Sequence, residues 1–210
     1  MKVTKYEHAC LFVSVADDTL VIDPGMFFTP GELTGIVAVV ITHEHGDHWT
    51  PDQLNRIVEK NPEVKIFGPA GVATAAEGFD VTVVKAGDEI EVGSFTLKFF
   101  GEKHALIHES IPVPDNVGVL VNGELYYGGD AYIVPDVAVG TLAAPLGAPW
   151  LKIGDAMDFV LEVKPKRAFY AHDMTLSVAG KSMHAERLAW ATEQGGGDFF
   201  PLEVGETLDI

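Results

Sequence analysis

Three histidines and an aspartate fall within six consecutive positions of this chain, in the run Thr42-His43-Glu44-His45-Gly46-Asp47-His48. Burying so many bare polar groups is costly, but neutral imidazole and carboxylate groups are good ligands for zinc, manganese or iron. His43 and His45 are two positions apart, so both project from one side of an extended strand end. Asp47 and His48 lie beyond Gly46, where the backbone can turn, and they can face a second ion. The segment therefore predicts a metal site, against the alternative of a solvated histidine-rich turn.

The elements on both sides of this segment would hold it in place. Residues 35–42 form a continuous apolar run, which predicts a strand buried on both faces. Thr50 is a good N-cap, Pro51 suits the first helical turn, and Gln53 would complete a capping box, so a helix is predicted directly after the segment. The inward face of this helix would carry Leu54, Ile57 and Val58. The histidines thus lie at a predicted strand-to-helix junction.

Strand and helix patterns alternate along the rest of the chain. Short β-branched or aromatic runs predict strands over residues 11–15, 19–23, 64–68, 81–85, 95–101, 117–121, 125–128 and 168–171, and an edge strand within 202–210. Asp155 is a candidate cap for a helix that ends at Lys164, and residues 182–194 predict the last helix. Helices between strands in both halves predict two sheets packed face to face with helices outside. This is an α/β (α+β) sandwich, expected to form a single domain over residues 1–210.

Charge and composition argue against several classes of function. The chain has 31 acidic and 14 basic residues and a formal net charge of −17, which disfavours binding to long nucleic acids or to anionic membranes. Cys10 is the single cysteine, which excludes an internal disulfide and a thiolate metal cluster. The longest apolar stretch, residues 134–151, contains Asp136 and three prolines and cannot span a bilayer as a helix. The expected location is cytoplasmic.

The run His43-Glu44-His45-Gly46-Asp47-His48 resembles the HxHxDH signature of the metallo-β-lactamase superfamily. Further elements match the family in chain order: Asp23-Pro24-Gly25 after an apolar strand, a mid-chain histidine, Tyr127-Gly128-Gly129-Asp130, and a late strand ending in Ala171-His172. The opening Tyr6-Glu7-His8-Ala9-Cys10 is similar to the compact branch that includes L-ascorbate-6-phosphate lactonase-like proteins. The resemblance implies a four-layer αββα sandwich made of two pseudo-repeated halves.

The resemblance also implies a ligand set for two divalent metal ions. The first ion would be held by His43, His45 and His104. The second would be held by Asp47, His48 and His172, and Asp130 would bridge the two ions. Zinc is the expected metal, with manganese or iron as alternatives. Asp47 would in addition orient a hydroxide shared by the ions, which makes it the expected catalytic residue.

Four further residues near these motifs have open roles. His108, four positions after His104, could be the ligand in its place, a proton donor on the substrate side, or a surface residue. His8 could support the ligands, lie at the rim of the cleft or be structural. Asp23 could accept a proton from a ligand histidine or simply form a turn. Glu44 is expected to face solvent.

Aromatic side chains near the predicted strand ends could line a pocket or pack in the core. Phe27 and Phe28 follow the turn after the second predicted strand, Trp49 directly follows the histidine-rich segment, and residues 131–150 flank another strand end. Core packing is the expected role of each. Phe27 and Phe28, together with Phe199-Phe200, could also form a contact in a homo-oligomer.

The leading hypothesis is a dinuclear metal-dependent hydrolase that uses a metal-bridging hydroxide to cleave a small ester, lactone or similar acyl bond. The alternative is hydrolysis of a phosphodiester or phosphate ester on a small metabolite. A basic side chain projecting into the cleft, from Lys103, Lys152 or Lys181, would favour that alternative. A di-iron oxidoreductase is disfavoured because such members of the superfamily usually have glutamate in place of His45 and an attached flavin domain. A non-enzymatic metal-binding protein is disfavoured because the implied ligand set is complete.

Overall fold

The computed structural model describes residues 1–210, and its strands form two β-sheets of seven strands each. In chain order the strands are β1 (Lys2–Lys5), β2 (Leu11–Val15), β3 (Asp18–Ile22), β4 (Ile36–Val40), β5 (Lys65–Gly68), β6 (Val81–Val83), β7 (Glu89–Val92), β8 (Phe95–Phe100), β9 (Gly118–Val121), β10 (Leu125–Tyr127), β11 (Thr141–Pro145), β12 (Arg167–Ala171), β13 (Asp198–Phe199) and β14 (Thr207–Asp209). The helices are α1 (Pro51–Lys60), α2 (Ala70–Ala75), α3 (Ile153–Val163) and α4 (Val178–Gln194).

Each sheet is built almost entirely from one continuous part of the chain. The first sheet has the order β14-β1-β2-β3-β4-β5-β6, and the second has the order β13-β12-β11-β10-β9-β8-β7. Four neighbouring strands run parallel in each sheet, β3 to β6 in the first and β10 to β13 in the second. Because the carboxyl ends of parallel strands meet at the same edge of a sheet, the loops after these strands can bring distant residues together.

Apolar residues fill three layers between these elements. The layer between the sheets is a cluster of 22 buried residues, which includes Leu11 and Ile22 of the first sheet and Leu97 and Phe169 of the second. A second cluster packs α1 and α2 on the outer face of the first sheet. A third packs α3 and α4 on the outer face of the second sheet. The predicted fold class, a four-layer αββα sandwich, is confirmed.

The starts of the helices agree with the predictions only in part. Thr50 caps α1 as predicted, since its Oγ1 accepts from Gln53 N at 3.2 Å. The capping box is wrong, because the Gln53 side chain donates to Phe28 O at 2.7 Å. Asp155 lies inside the first turn of α3, whose N-cap is Lys152. The last helix, α4, begins at Val178 and therefore earlier than predicted.

The two ends of the chain form neighbouring strands at one edge of the first sheet. Strand β14 pairs antiparallel with β1 at the edge of the sheet and lies within residues 202–210, where an edge strand was predicted. None of the four helices combines the length and the apolar character needed to cross a lipid bilayer.

Candidate metal centre

Strand ends from both sheets bring the predicted histidines and aspartates to one edge of the sandwich. The segment from His43 to His48 follows β4, His104 lies in the loop after β8, Asp130 in the loop after β10, and His172 follows β12. Their nitrogen and oxygen atoms form three overlapping groups, within each of which all ligand atoms lie within 4.8 Å of one another. The groups are His43, His45 and His104; His8, Asp47, His48 and His172; and His43, His48 and Asp130.

The first group consists of three imidazoles that face one point. His43 Nε2 and His45 Nδ1 lie 3.1 Å apart. The centroid of the His104 ring is 4.8 Å from that of His43 and 4.9 Å from that of His45. Two nitrogen ligands of a tetrahedral zinc ion, each about 2.0–2.1 Å from the metal, would lie about 3.3 Å apart. The spacing of the two nitrogens therefore fits two ligands of one ion.

Carbonyl acceptors fix the tautomers of two histidines of the candidate centre. His104 Nδ1 donates to Ala105 O at 2.5 Å, and His172 Nδ1 donates to Gly147 O at 2.7 Å. Because a neutral imidazole carries one N–H, Nε2 of each ring presents a lone pair. The Nε2 atoms of His48, His104 and His172 are buried and have no hydrogen-bond partner. Buried acceptors without donors are costly, and a metal ion would satisfy all three.

Asp23 orients two histidines of the candidate centre, one directly and one through Thr42. Its Oδ2 accepts from His48 Nδ1 at 2.7 Å and from Thr42 Oγ1 at 2.7 Å, while its Oδ1 accepts from Thr42 N at 2.8 Å. Since the Thr42 hydroxyl gives its proton to Asp23, its oxygen can accept from His43 Nδ1, 3.1 Å away. This arrangement is the one expected of an outer carboxylate that fixes the rings of histidines in a metal site.

Asp130 lies between the imidazoles of both groups. Its Oδ1 is 3.2 Å from His48 Nε2, and its Oδ2 is 3.1 Å from His172 Nε2 and 3.4 Å from His104 Nε2. Burial alone would raise the pKa of Asp130, but the charges of His48 and His172 hold it well below its usual value. Burial would likewise lower the pKa of His48, yet the carboxylates of Asp130 and Asp23 raise it well above its usual value. The pocket therefore favours positive charge at its centre.

His8 joins the second group from the loop between β1 and β2. Its Nδ1 accepts from Met174 N at 3.2 Å, so its single proton is on Nε2, which lies 3.2 Å from Asp47 Oδ2. Burial lowers the pKa of His8 to about 4, which leaves the ring neutral at neutral pH. His8 therefore donates to Asp47 and does not offer a lone pair to a metal.

Asp47 stands at the mouth of the site. Its side chain is 27% exposed, whereas those of His8, His172 and Asp130 are at most 4% exposed. Burial works against ionisation of Asp47, but the hydrogen bond from His8 and the charges of His48 and His172 lower its pKa below the usual value. Asp47 is thus an ionised carboxylate that solvent can reach.

Three residues of the centre have an unusual backbone conformation. His8, Asp23 and His172 have positive φ angles of 60°, 49° and 57°. The other non-glycine residues with positive φ angles are Ala16 and Asn122, which lie in hairpin turns, and Lys164, which lies at the C-terminal end of α3. His172 N donates to His8 O at 2.7 Å, which ties the two sheets together at the site. Such strain costs about 1–3 kcal/mol per residue and clusters at functional sites.

Two glycines permit close packing around the centre. A Cβ atom on Gly25 would lie 1.7 Å from Asp47 O, and one on Gly129 would lie 2.4 Å from Asn116 Oδ1. Asn116 Oδ1 also accepts from Asp130 N at 3.1 Å. The loops that carry the two aspartates can therefore approach their neighbours only because these positions lack side chains.

Several residues singled out in the sequence lie outside the cluster. His108 is exposed and its Nδ1 lies 2.7 Å from Ser110 Oγ, whereas His104 lies with His43 and His45 in the candidate cluster. Phe28 and Trp49 belong to the core beneath α1, as expected. Phe27 instead lies beside the site, with its ring centroid 4.9 Å from that of His8.

The sequence analysis missed three residues that hold the candidate ligands in place. Thr42 directly precedes the first ligand, so its position was a usable signal. Asn116 has no local motif around it. Trp150 donates from Nε1 to Asp130 Oδ2 at 2.8 Å. In the sequence it was recognised only as the last residue of the segment 131–150, which flanks a predicted strand end.

The sandwich and this set of donors define a protein with the metallo-β-lactamase fold and a candidate metal centre. The model of the beta-lactamase superfamily domain matches residues 2–172. The chain therefore belongs to the β-lactamase superfamily, and the resemblance predicted from the HxHxDH run is confirmed. The narrower resemblance to L-ascorbate-6-phosphate lactonase-like proteins stays a prediction.

Similar proteins share this domain over most of their length. Protein Rv0786c of Mycobacterium tuberculosis is 35% identical over 199 residues, which cover 91% of this chain and 93% of the relative. A UPF0173 metal-dependent hydrolase of Dinoroseobacter shibae is 26% identical over 155 residues, covering 66% and 67%. The solved structure of Igni18, a metallo hydrolase from Ignicoccus hospitalis, has a TM-score of 0.73 at 21% identity and covers 99% of this chain and 97% of its own. That likeness supports the fold.

Proposed function

We propose that the protein is a metal-dependent hydrolase that holds two divalent ions and cleaves a small ester, lactone or related acyl bond. The observation that carries this proposal is the convergence of imidazole nitrogens from both groups of histidines on the shared carboxylate of Asp130. The printed name of the Dinoroseobacter relative supports the enzyme class. Two divalent ions, zinc or else manganese or iron, would supply a hydroxide near neutral pH and polarise the oxygen of the bond under attack.

The chain's own residues would divide the tasks of binding and orientation. His43, His45 and His104 would hold one ion, and Asp47, His48 and His172 the other. Asp47 is ionised and reaches solvent, so it can accept a hydrogen bond from the attacking water and fix its direction. His8 holds one oxygen of Asp47, which leaves the other free for this role.

The lysines near the cleft favour an acyl substrate over a phosphate ester. Lys103 Nζ lies 2.6 Å from Asp115 Oδ1, and Lys181 Nζ lies 2.9 Å from Asp173 Oδ2. The side chain of Lys152 is 84% exposed. Each of the three is therefore paired with an acidic side chain or largely exposed to solvent, which supports the acyl substrate over the phosphate ester.

The test is hydrolysis by zinc- or manganese-loaded protein on a panel of lactones, aryl esters, thioesters and phosphodiesters. We expect turnover on acyl bonds that falls by about 10²–10⁴-fold in Asp47→Asn. Asp17→Asn is the matched control, because Asp17 is exposed in the β2–β3 turn at the far end of β3. Undiminished activity of Asp47→Asn would overturn the role of Asp47. Turnover of phosphodiesters alone would overturn the substrate class.

A further inference from the structure

Trp150 makes the one hydrogen bond that the Asp130 carboxylate receives from outside the ligand set. The half-buried indole lies in the loop between β11 and α3, and its Nε1 donates to Asp130 Oδ2 at 2.8 Å. The backbone of Asp130 is held separately, through its N by Asn116 Oδ1 at 3.1 Å and through its O by Ala105 N at 2.8 Å. Hydrogen bonds to its backbone therefore fix the position of Asp130, and the indole of Trp150 binds its side chain.

The indole is itself held by aromatic neighbours. Its centroid is 5.1 Å from the Tyr132 ring at an interplanar angle of 69°, and the Tyr132 ring lies 5.6 Å from Phe159 of α3. The centroid of the indole also lies 5.9 Å from that of the His104 ring, at an interplanar angle of 75°. Edge-to-face contacts of this kind fix the plane of a ring. The N–H of Trp150 therefore points to Asp130 from a rigid support.

We propose that Trp150 is a positioning residue of the metal centre, whose indole N–H sets the rotation of the Asp130 carboxylate. The terminal torsion of an aspartate has a broad energy well, so backbone placement alone does not decide where the two oxygens point. With the indole in place, Oδ1 stays beside His48 and Oδ2 lies between His104 and His172. This inference rests on the proposed function, because it requires that Asp130 binds metal.

The direct test compares Trp150→Phe with Trp190→Phe. The first variant keeps an aromatic ring and removes the N–H, while the control removes an indole that is exposed on α4. Zinc affinity is measured by competition with a chromophoric chelator, and the ligand geometry by the visible absorption of the cobalt(II) form. Loss of an outer partner typically costs about 10–100-fold in metal affinity, and we expect that loss, with a changed cobalt spectrum, in Trp150→Phe alone. Wild-type affinity and spectrum in Trp150→Phe would overturn the proposal.

A second measurement needs no substitution at the site. The chain has three tryptophans, so a ¹⁵N-labelled sample gives three indole N–H signals. We expect the Trp150 signal to shift when zinc is added and to be protected from solvent exchange, while the Trp190 signal stays unchanged. Rapid exchange of the Trp150 N–H in the zinc form would contradict the inference. Wild-type protein that binds no zinc would instead defeat the proposed function, so the two failures are distinguishable.

Discussion

The two aspartates of the candidate centre differ in exposure and in the way each is held. Asp130 is buried among the imidazoles of the candidate centre, and Asp47 stands at its mouth, where one of its oxygens faces His8. A carboxylate that is held at one oxygen and open to solvent at the other can orient water. At the scale of single residues, we therefore expect His8 to orient the Asp47 carboxylate.

Substitution of His8 should weaken the second metal site without unfolding the protein. Asparagine tolerates the left-handed backbone of His8 and can replace Nδ1, but it is too short to replace Nε2, so His8→Asn leaves Asp47 without its donor. We expect about 10–100-fold weaker binding of one of two zinc ions, measured by chelator competition. His8→Gln carries a donor at the position of Nε2 and should recover part of the affinity. Equal zinc binding by His8→Asn and wild type would contradict this role.

At the scale of elements, the centre depends on how closely loops from neighbouring strands approach. The loop after β3 contacts the loop after β4 at Gly25, where the backbone of Asp47 occupies the space that a side chain would need. The loop after β10 is packed at Gly129 against the side chains of Asn116 and Thr42. Rigid backbone contacts of this kind transmit a change in one loop to the ligands on the other.

Gly25→Ala should therefore displace the Asp47 loop. Overpacking of this kind typically costs about 1–3 kcal/mol, and we expect that loss in urea unfolding together with weaker binding of one zinc ion. Gly31→Ala is the matched control, since Gly31 lies in the same loop and a Cβ atom there would meet nothing within 4 Å. If the two variants were equally stable and bound the same number of zinc ions, this packing argument would be wrong.

The sequence was sufficient for elements with a strong local signal. The alternation and turn residues around β2, β3, β8 and β9 indicated their strands, and the spacing from His43 to His48 indicated the metal site. Strand β11 was missed because Thr141–Pro145 is rich in alanine and ends in proline, so its strand character comes from burial between β10 and β12. The roles of His8, Asn116 and Trp150 depend on contacts between distant parts of the chain, which no local pattern encodes.

At the scale of the whole molecule, a buried ion pair joins the two sheets beside the centre. Lys5 of β1 is fully buried, and its Nζ lies 3.1 Å from Oδ1 of Asp173, the residue after His172. Lys181 of α4 lies 2.9 Å from the other oxygen of Asp173. Burial would raise the pKa of Asp173, but the two lysines outweigh it and lower the pKa below its usual value.

Asp173→Asn should destabilise the fold by about 3–5 kcal/mol, because it leaves the Lys5 ammonium buried without a counter-ion. In the wild type, the lowered pKa means that the carboxylate stabilises the fold above its unfolded pKa of about 3.9 and loses this effect as the pH falls through the lower folded value. We expect urea unfolding between pH 2 and pH 7 to show a shallower acid-side slope in the variant. Asp209→Asn, in an exposed pair with Lys2, should stay within about 0.5 kcal/mol of wild type. A similar small change in Asp173→Asn would refute the structural role of the pair.

The division of the ligands between two parts of the chain has a consequence for biosynthesis. The segment from His43 to His48 leaves the ribosome long before His172 has been made, an interval on the order of ten seconds at about 5–20 residues per second. During that interval the segment from His43 to His48 can bind metal ions only as a short peptide would, and the ions can exchange. The proposed ligand set is complete only after the strand ends that carry His104, Asp130 and His172 have packed beside this segment. Under the proposed function, the ion first enclosed would therefore be one that the cell supplies at that moment of assembly.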